Sequence, residues 1–271
     1  MTAVPTRVLT IAGSDSGGGA GIQADLRTMA MSGVHGCVAI TAVTVQNSLG
    51  VTEIHEIPPE TVAAQIRSVV TDIGVGAAKT GMLASAPIIE AVVEACTEVG
   101  VGSGGVPLVV DPVCASMHGD SLLALDSLDA LRTRLFPIAD LVTPNLDEVR
   151  LLTGIDVVDA AGQRRAAEAL VGLGARWALV TGGHLRTAER SVDVLFDGDE
   201  WFELTRDWVP TPHDHGGGDT LAAAITCALA AGLDMPEAVA HGKEWVTRCL
   251  QAAYPLGSGR GPVSAFWRLD G

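Results

Sequence analysis

The sequence predicts a doubly wound α/β fold: a mostly parallel central sheet with helices on both faces and one small β-hairpin. Three observations carry this. Short, continuous apolar runs recur at 7–13 ("RVLTIAG"), 106–112 ("VPLVVDP") and 177–183 ("WALVTGG"), each with the length and content of a strand buried on both faces. Segments with a helical apolar period stand between such runs, the alternation expected of a parallel sheet with crossover helices. Finally, "SVDVLFDGDEWFELT" at 191–205 alternates around the turn "DGD", which reads as a hairpin.

In chain order, the first strand at 7–13 ends in "SDSGGGAG", and a helix follows over 22–31 ("IQADLRTMAM"). "CVAITAVTVQ" at 37–46 reads as a second buried strand, and "PPETVAAQIRSVVTD" at 58–72 as a helix opened by proline. "AAKTGM" at 77–82 is a short strand with its exit, and "APIIEAVVEAC" at 86–96 is helical. After the central strand at 106–112 come a helix at 127–139, a strand and turn at 140–145, and a short helix at 147–154 ended by Gly154. A helix at 161–174 precedes the strand at 177–183 and the hairpin. The last helices begin near 219 and at 235, and the tail from 255 has no regular period. No composition-shifted linker divides the chain, so residues 1–271 are expected to form one domain.

The 17 basic and 32 acidic residues give a formal charge of -15. That excess disfavours nonspecific nucleic-acid or anionic-membrane partners but leaves small phosphorylated ligands open, since these read local donors. Cys37, Cys96, Cys114, Cys227 and Cys249 form no CxxC and no even framework, so they read as small core residues of a reducing compartment. The first residues lack the form of a signal peptide, and the Ala-rich run near 221–231 is too short to span a bilayer. A cytoplasmic protein is expected.

The chemistry concentrates where strands end, the place at which open parallel sheets gather ligands. "HDHGGGDT" at 213–220 puts three glycines before a helix. Caps alone explain Asp219 or Thr220; three glycines suggest exposed N–H groups at a helix N-terminus, an anion site. Asp219 beside such a site would repel an anion unless it serves as base for a hydroxyl attacking it. Other strand ends offer Gly13, Ser14 and Asp15, with Asp25 a turn into the helix; Gln46 and Asn47; Lys79, Gly81 and Met82; Asp111, Pro112 and Val113; Thr143, Asn145 and Glu148; and Thr181, Gly182, Gly183 and His184. "GSDSGGGAG" matches neither the P-loop nor the dinucleotide spacing of glycines. Asp111 and Glu148 suggest a water-mediated Mg²⁺ site, because Mg²⁺ takes few carboxylates and completes its shell with phosphate oxygens and water; a strand-end cap and an exposed helix acid are the plainer alternatives. His213 and His215 lack a third ligand for zinc.

With these residues in view, the chain resembles the hydroxymethylpyrimidine/phosphomethylpyrimidine kinases of thiamine biosynthesis, members of the ribokinase-like fold. "AGSDSGGGAGIQADLRT", "TAVTVQNSLGV", "AAKTGML", "VVDPV", "DLVTPNLDEVRLLTG", "GGHL" and "GPVSAFW" stand in the family's order. The resemblance implies ATP-dependent phosphorylation of the hydroxymethylpyrimidine to its monophosphate and then its diphosphate, with ATP and Mg²⁺ and as a homodimer. It implies a pyrimidine pocket of Gly13, Asp25, Gln46, Met82 and Val113, with Gln46 pairing the ring nitrogen and amine. It implies an anion hole at Gly216, Gly217 and Gly218. Asn145, Thr181, Gly182 and Gly183 fall on the nucleotide side, and Asp111 and Glu148 on the metal side. The chain departs from the family twice. Asp219 replaces the cysteine of the usual HGTGC, as in sugar kinases of the wider fold, where an aspartate base stands. Thr181 replaces a lysine found in many members. Pyridoxal kinase is the alternative activity, and a noncatalytic pyrimidine-binding protein a third reading.

Overall fold

The computed structural model describes residues 4–114, 125–183 and 189–269; His184 lies outside them. Among the described residues one sheet of nine strands runs in the order β3-β2-β1-β4-β5-β6-β7-β8-β9. Its strands are β1 Arg7–Asp15, β2 His35–Asn47, β3 Gly50–Glu56, β4 Ala77–Thr80, β5 Leu108–Val110, β6 Leu141–Val142, β7 Trp177–Val180, β8 Arg190–Phe196 and β9 Trp201–Asp207. From β2 to β7 the neighbours are parallel. β3 pairs antiparallel with β2 at one edge, and β8 and β9 add an antiparallel hairpin at the other.

The helices are α1 Gly21–Met31, α2 Pro59–Ser68, α3 Ala86–Glu98, α4 Leu125–Ala130, α5 Leu146–Thr153, α6 Ala160–Gly172, α7 Gly217–Ala230 and α8 Met235–Gln251. Strand alternation sorts them into two layers. Leu108, Val110 and Val180 point into the larger core with α2, α3 and α6. Val109, Leu141 and Leu179 point the other way, against α7 and α8, and α1 joins that second layer through Met29 and Cys227. Both faces are therefore dry, which is why these strands read as unbroken apolar runs.

Helix starts follow side-chain chemistry. Asn145 caps α5 and Asp234 caps α8, each in a reciprocal capping box with Glu148 or Glu237. Asp159 caps α6 by accepting from the N–H of Gly162. Two expected helices tighten or loosen before their end: α2 gives way to a wider turn at Val69–Ile73, and α4 to one at Leu131–Leu135 followed by a tight turn at Phe136–Ile138. Pro137 lacks the N–H needed to continue an α-helix. α7 begins at Gly217 rather than near 219, because Gly216, at φ 76°, already serves as its left-handed N-cap.

The edge differs from expectation. β3 was not foreseen, and the second half of β2 is not buried: Val43 and Val45 are 44% and 53% exposed. β3 places most of its residues in solvent, so it carries no apolar signature by which a strand is recognised. No described helix is long and apolar enough to cross a membrane, and all five cysteines are free and buried.

Candidate functional site

The C-terminal ends of β1, β4 and β5 and the first turn of α7 converge on a cluster of charge. Its centre is Lys79, in the middle of β4 and fully buried. Because Ala78 faces the α2 and α3 layer, Lys79 faces the opposite one, where α1 and α7 bring Asp25 and Asp219. Lys79 Nζ lies 2.7 Å from Asp25 Oδ1 and 3.7 Å from Asp219 Oδ1. Thr10 Oγ1 donates to Asp25 Oδ2 at 2.6 Å. Asp25 was expected at the pyrimidine; its side chain is instead fully enclosed, with one oxygen on Lys79 and the other on Thr10. Burial pushes the Asp25 carboxyl up to about 6, against the pull of Lys79. Burial works against the Lys79 ammonium too, yet Asp25, Asp219 and Asp111 outweigh it and hold the group above its ordinary range.

Asp219 occupies the first turn of α7 and keeps 13% of its side chain exposed. An acid there complements the helix dipole. The three preceding glycines differ in what they do. Gly216 makes the left-handed turn, and a Cβ on it would overlap the carbonyl oxygen of Gly19. The N–H of Gly217 is already given to the Asp214 carbonyl at 3.1 Å, which removes it from the expected anion hole. Those of Gly218 and Asp219 have no acceptor among the described residues, as the second and third N–H groups of a helix should. Gly218 is exposed, and a Cβ there would stand 3.4 Å from Asp111 Oδ2. Asp111 and the free donors therefore face one space.

Asp111 ends β5 and is buried. Burial and then the charges of Glu148 and Asp219 raise its carboxyl well above the usual range. Burial raises Glu148 to about 7, opposed by N–H groups of Asn145 and Cys114. Glu148 Oε2 accepts from the Asn145 N–H at 2.9 Å, and Asn145 Oδ1 from the Glu148 N–H at 3.0 Å. Both residues are thus committed to starting α5, and Asn145 keeps its amide N–H₂ for a ligand. No group of three or more metal-ligating side chains occurs among the described residues. The two carboxylates still fit Mg²⁺: they are buried, they repel each other, and Mg²⁺ asks for only one or two carboxylates with water and phosphate completing the shell.

Gly13 and Met82 form one wall together, since a Cβ on Gly13 would lie 2.7 Å from Met82 Cε. The Met82 carbonyl accepts from Thr41 Oγ1 at 2.6 Å. Val113 is half-buried, its N–H on the Asp111 carbonyl at 2.9 Å. Gln46 is half-buried beyond these residues, 3.1 Å from Thr44 Oγ1 and 3.4 Å from His215 Nε2.

His215 and Asp15 lock the two glycine loops together. Asp15 accepts from the N–H groups of Gly17, Gly19 and Ala20 at 2.7–2.9 Å and meets His215 Nε2 at 3.0 Å. Burial opposes the charge on Asp15, but His215 and those N–H groups hold its carboxyl below the usual range. The tail supports the same loop: the His215 N–H donates to the Gly261 carbonyl, and His213 Nδ1 accepts from the Gly261 N–H at 3.0 Å. The histidine pair is therefore structural.

On the nucleotide side, Thr181 is half-buried, with its hydroxyl 3.5 Å from the Pro144 carbonyl. The Gly182 N–H is spent on Asp193 Oδ1 at 2.9 Å, so it is not free for a phosphate; Gly183 is exposed. Asp193 is paired in turn with Lys243 at 2.8 Å, both nearly buried, and Lys243 donates to Ser191 Oγ at 2.9 Å. Asp193 and Lys243 escaped sequence reasoning, as did the role of Lys79. The available signal was a lone charge at an inward position of an apolar strand, "AAKTG" or "SVDVLF". Two open grooves, of about 570 Å³ beside Arg206, Glu244 and Trp267 and about 460 Å³ beside Asp140, Arg176 and Phe202, lie away from this cluster.

A profile of the phosphomethylpyrimidine kinase family matches residues 15–264. A hydroxymethylpyrimidine/phosphomethylpyrimidine kinase of Mycobacterium bovis is 63% identical over 266 residues, 98% of this chain and 96% of its own. Among solved structures, a Bacillus subtilis pyridoxal kinase with ADP superposes with TM-score 0.89 at 36% identity, covering 98% of this chain and 100% of its own. A Clostridium difficile phosphomethylpyrimidine kinase superposes with TM-score 0.78 at 37% identity, covering 89% and 98%.

Proposed function

The chain belongs to the phosphomethylpyrimidine kinase family, and from that premise we propose how its residues divide the work. The reaction is ATP-dependent phosphorylation of 4-amino-5-hydroxymethyl-2-methylpyrimidine to its monophosphate, then of the monophosphate to the diphosphate, in thiamine biosynthesis. The observation that carries the residue assignment is Asp219 in the first turn of α7, partly exposed, next to the free N–H groups of 218 and 219.

Asp219 accepts the proton of the attacking hydroxyl as the new O–P bond forms and the bond to the leaving ADP breaks. The N–H groups of Gly218 and Asp219 stabilise charge on the transferred phosphoryl oxygens. Gly216 sets the turn that aims them. Gly13, Met82 and Val113 enclose the ring, and Gln46 pairs with its nitrogen and amine. Asn145, Thr181 and Gly183 face the nucleotide. Asp111 and Glu148 would hold Mg²⁺, which would supply positive charge against the phosphates. The chain acts as one kinase domain in the cytoplasm and as a homodimer, for which the exposed Val43, Val45, Leu49 and Ile54 of the β2–β3 edge are suited.

Asp219→Asn tests the base. The amide keeps the shape and can still cap the helix but cannot take a proton. Single-turnover transfer should fall by about 10²–10⁴-fold, with ATP binding retained; transfer at the parent rate would leave Asp219 a cap. A substrate panel including pyridoxal tests the ring assignment, because the fold is shared with pyridoxal kinases.

A further inference from the structure

Lys79 has no part in the division of work above, yet it is among the largest fully buried side chains of the described residues. All four residues of β4 are buried, and β1 and β5 flank it on both sides. An ammonium in such a place needs charged, hydrogen-bonded partners. Asp25 is the first, at 2.7 Å, and it cannot swing away because Thr10 holds its other oxygen at 2.6 Å. An ammonium has three donors, and Asp25 takes one.

The next carboxylate is Asp219, at 3.7 Å. Gly81 lies beside the gap between them. A Cβ on Gly81 would stand 3.6 Å from Asp219 Oδ1, 3.7 Å from Lys79 Nζ and 3.0 Å from the Ala12 methyl. The missing side chain keeps carbon away from the space between ammonium and carboxylate. Mutual neutralisation of Lys79 and Asp25 explains little by itself, since an apolar pair of similar volume would serve a core as well or better. What the pair delivers is a positive charge fixed on one side of Asp219, with α1, β4 and α7 meeting at that point.

We propose that Lys79, held in place by Asp25 and Thr10, is a positioning residue for phosphoryl transfer: its ammonium anchors Oδ1 of Asp219 and leaves Oδ2 to the substrate hydroxyl. This rests on the reading of Asp219 as the base. It also changes the part played by Asp25, which acts on the reaction through Lys79 and does not touch the pyrimidine.

The test is a double-mutant cycle. Lys79→Met alone strands the buried carboxylate of Asp25, so the informative variant is Lys79→Met with Asp25→Asn, which removes both charges and leaves Thr10 an acceptor. Single-turnover transfer and the KM for each substrate are measured in the parent, in Asp219→Asn, in the Lys79/Asp25 pair and in the triple variant. The pair should lose roughly tenfold to a hundredfold in transfer rate, the scale of misplacing a reacting group by about 1 Å. Its KM values should stay within about twofold of the parent, and the triple variant should be no slower than Asp219→Asn, because coupled residues are not additive. Gly81→Ala makes the same comparison with every charge in place and serves if the pair does not fold: its loss of rate should appear in the parent background and vanish with Asp219→Asn. Losses that multiply with that of Asp219→Asn, or a raised KM at unchanged rate, overturn the role of Lys79 while the base reading stands. Asp219→Asn at the parent rate overturns both.

Discussion

Gly216→Ala separates the architecture of the glycine turn from its chemistry. Gly216 sits at φ 76°, where an L-residue costs about 1–2 kcal/mol. Its new methyl would overlap the Gly19 carbonyl oxygen, so one of the two loops must move. Gly19 is not free to retreat: its N–H and that of Ala20 are both held by Asp15 Oδ2 at 2.9 Å. Loss of one hydrogen bond to a charged group costs about 1.5–3 kcal/mol. Together the two effects amount to roughly 3–5 kcal/mol, or a melting point lower by roughly 6–20 °C at about 2–4 °C per kcal/mol for a chain of this size. Scanning calorimetry of the unliganded protein measures it. The control is Gly218→Ala. Gly218 is exposed, its φ is not positive, and the new methyl meets Asp111 Oδ2 at an ordinary 3.4 Å. That variant should melt within about 3 °C of the parent and still lose transferase activity, because the methyl fills the space between Asp111 and the free N–H groups. A Gly216→Ala protein that melts with the parent would refute the claim that Gly19 is pinned by Asp15.

Three further outcomes follow from polar groups at and near the site. Glu148 is raised to about 7 by burial, so as pH rises toward 7 the unfolded chain gives up a proton that the folded one retains, and stability falls through that window. Glu148→Gln should flatten this fall, as melting temperature measured from pH 5 to 8 would show; parallel curves would deny the buried carboxyl. Lys243→Met leaves Asp193 unpaired and should cost about 3–5 kcal/mol in urea unfolding, most of it regained when Asp193→Asn is added. Gln46→Ala should weaken pyrimidine binding by about 1–3 kcal/mol in calorimetry; unchanged affinity would remove Gln46 from the pocket.

The central strands were legible because a strand dry on both faces leaves a run such as "VPLVV", and the helix starts because Asn145, Asp159 and Asp234 cap by chemistry that acts locally. β3 was not, since a strand with both faces wet leaves no periodic trace. The site was legible as a set of positions, through glycines and acids at strand ends. What each position does depended on partners far away in sequence. The family resemblance implies Asp25 at the pyrimidine, but no local pattern shows that Lys79, 54 residues on, holds one of its oxygens. The resemblance puts Gly182 on the nucleotide side, but only the fold shows that its N–H is given to Asp193. His213 and His215 read as a histidine pair without a third metal ligand, but nothing local shows that Asp15, 200 residues earlier, holds His215 Nε2. Hydrogen bonds of this span are set by topology, and no local pattern announces them.

The same partners explain how an acidic enzyme can handle polyanions. Asp25, Asp111 and Asp219 lie around the buried ammonium of Lys79, Glu148 adds its charge beside Asp111, and the carboxyls of Asp25, Asp111 and Glu148 are all pushed upward. Held this close together, the carboxylates resist bringing in more negative charge unless positive charge comes with it. The free N–H groups of Gly218 and Asp219 attract phosphate, while Asp111 beside them repels it. With Mg²⁺ placed at Asp111 and Glu148 as proposed, a nucleotide arriving with its cation would satisfy both, and a bare nucleotide would satisfy only one. On the proposed roles, the acid cluster would act as a filter at the phosphate end of the site, and Lys79, screened from solvent and tied to Asp25, would steady Asp219 beside it.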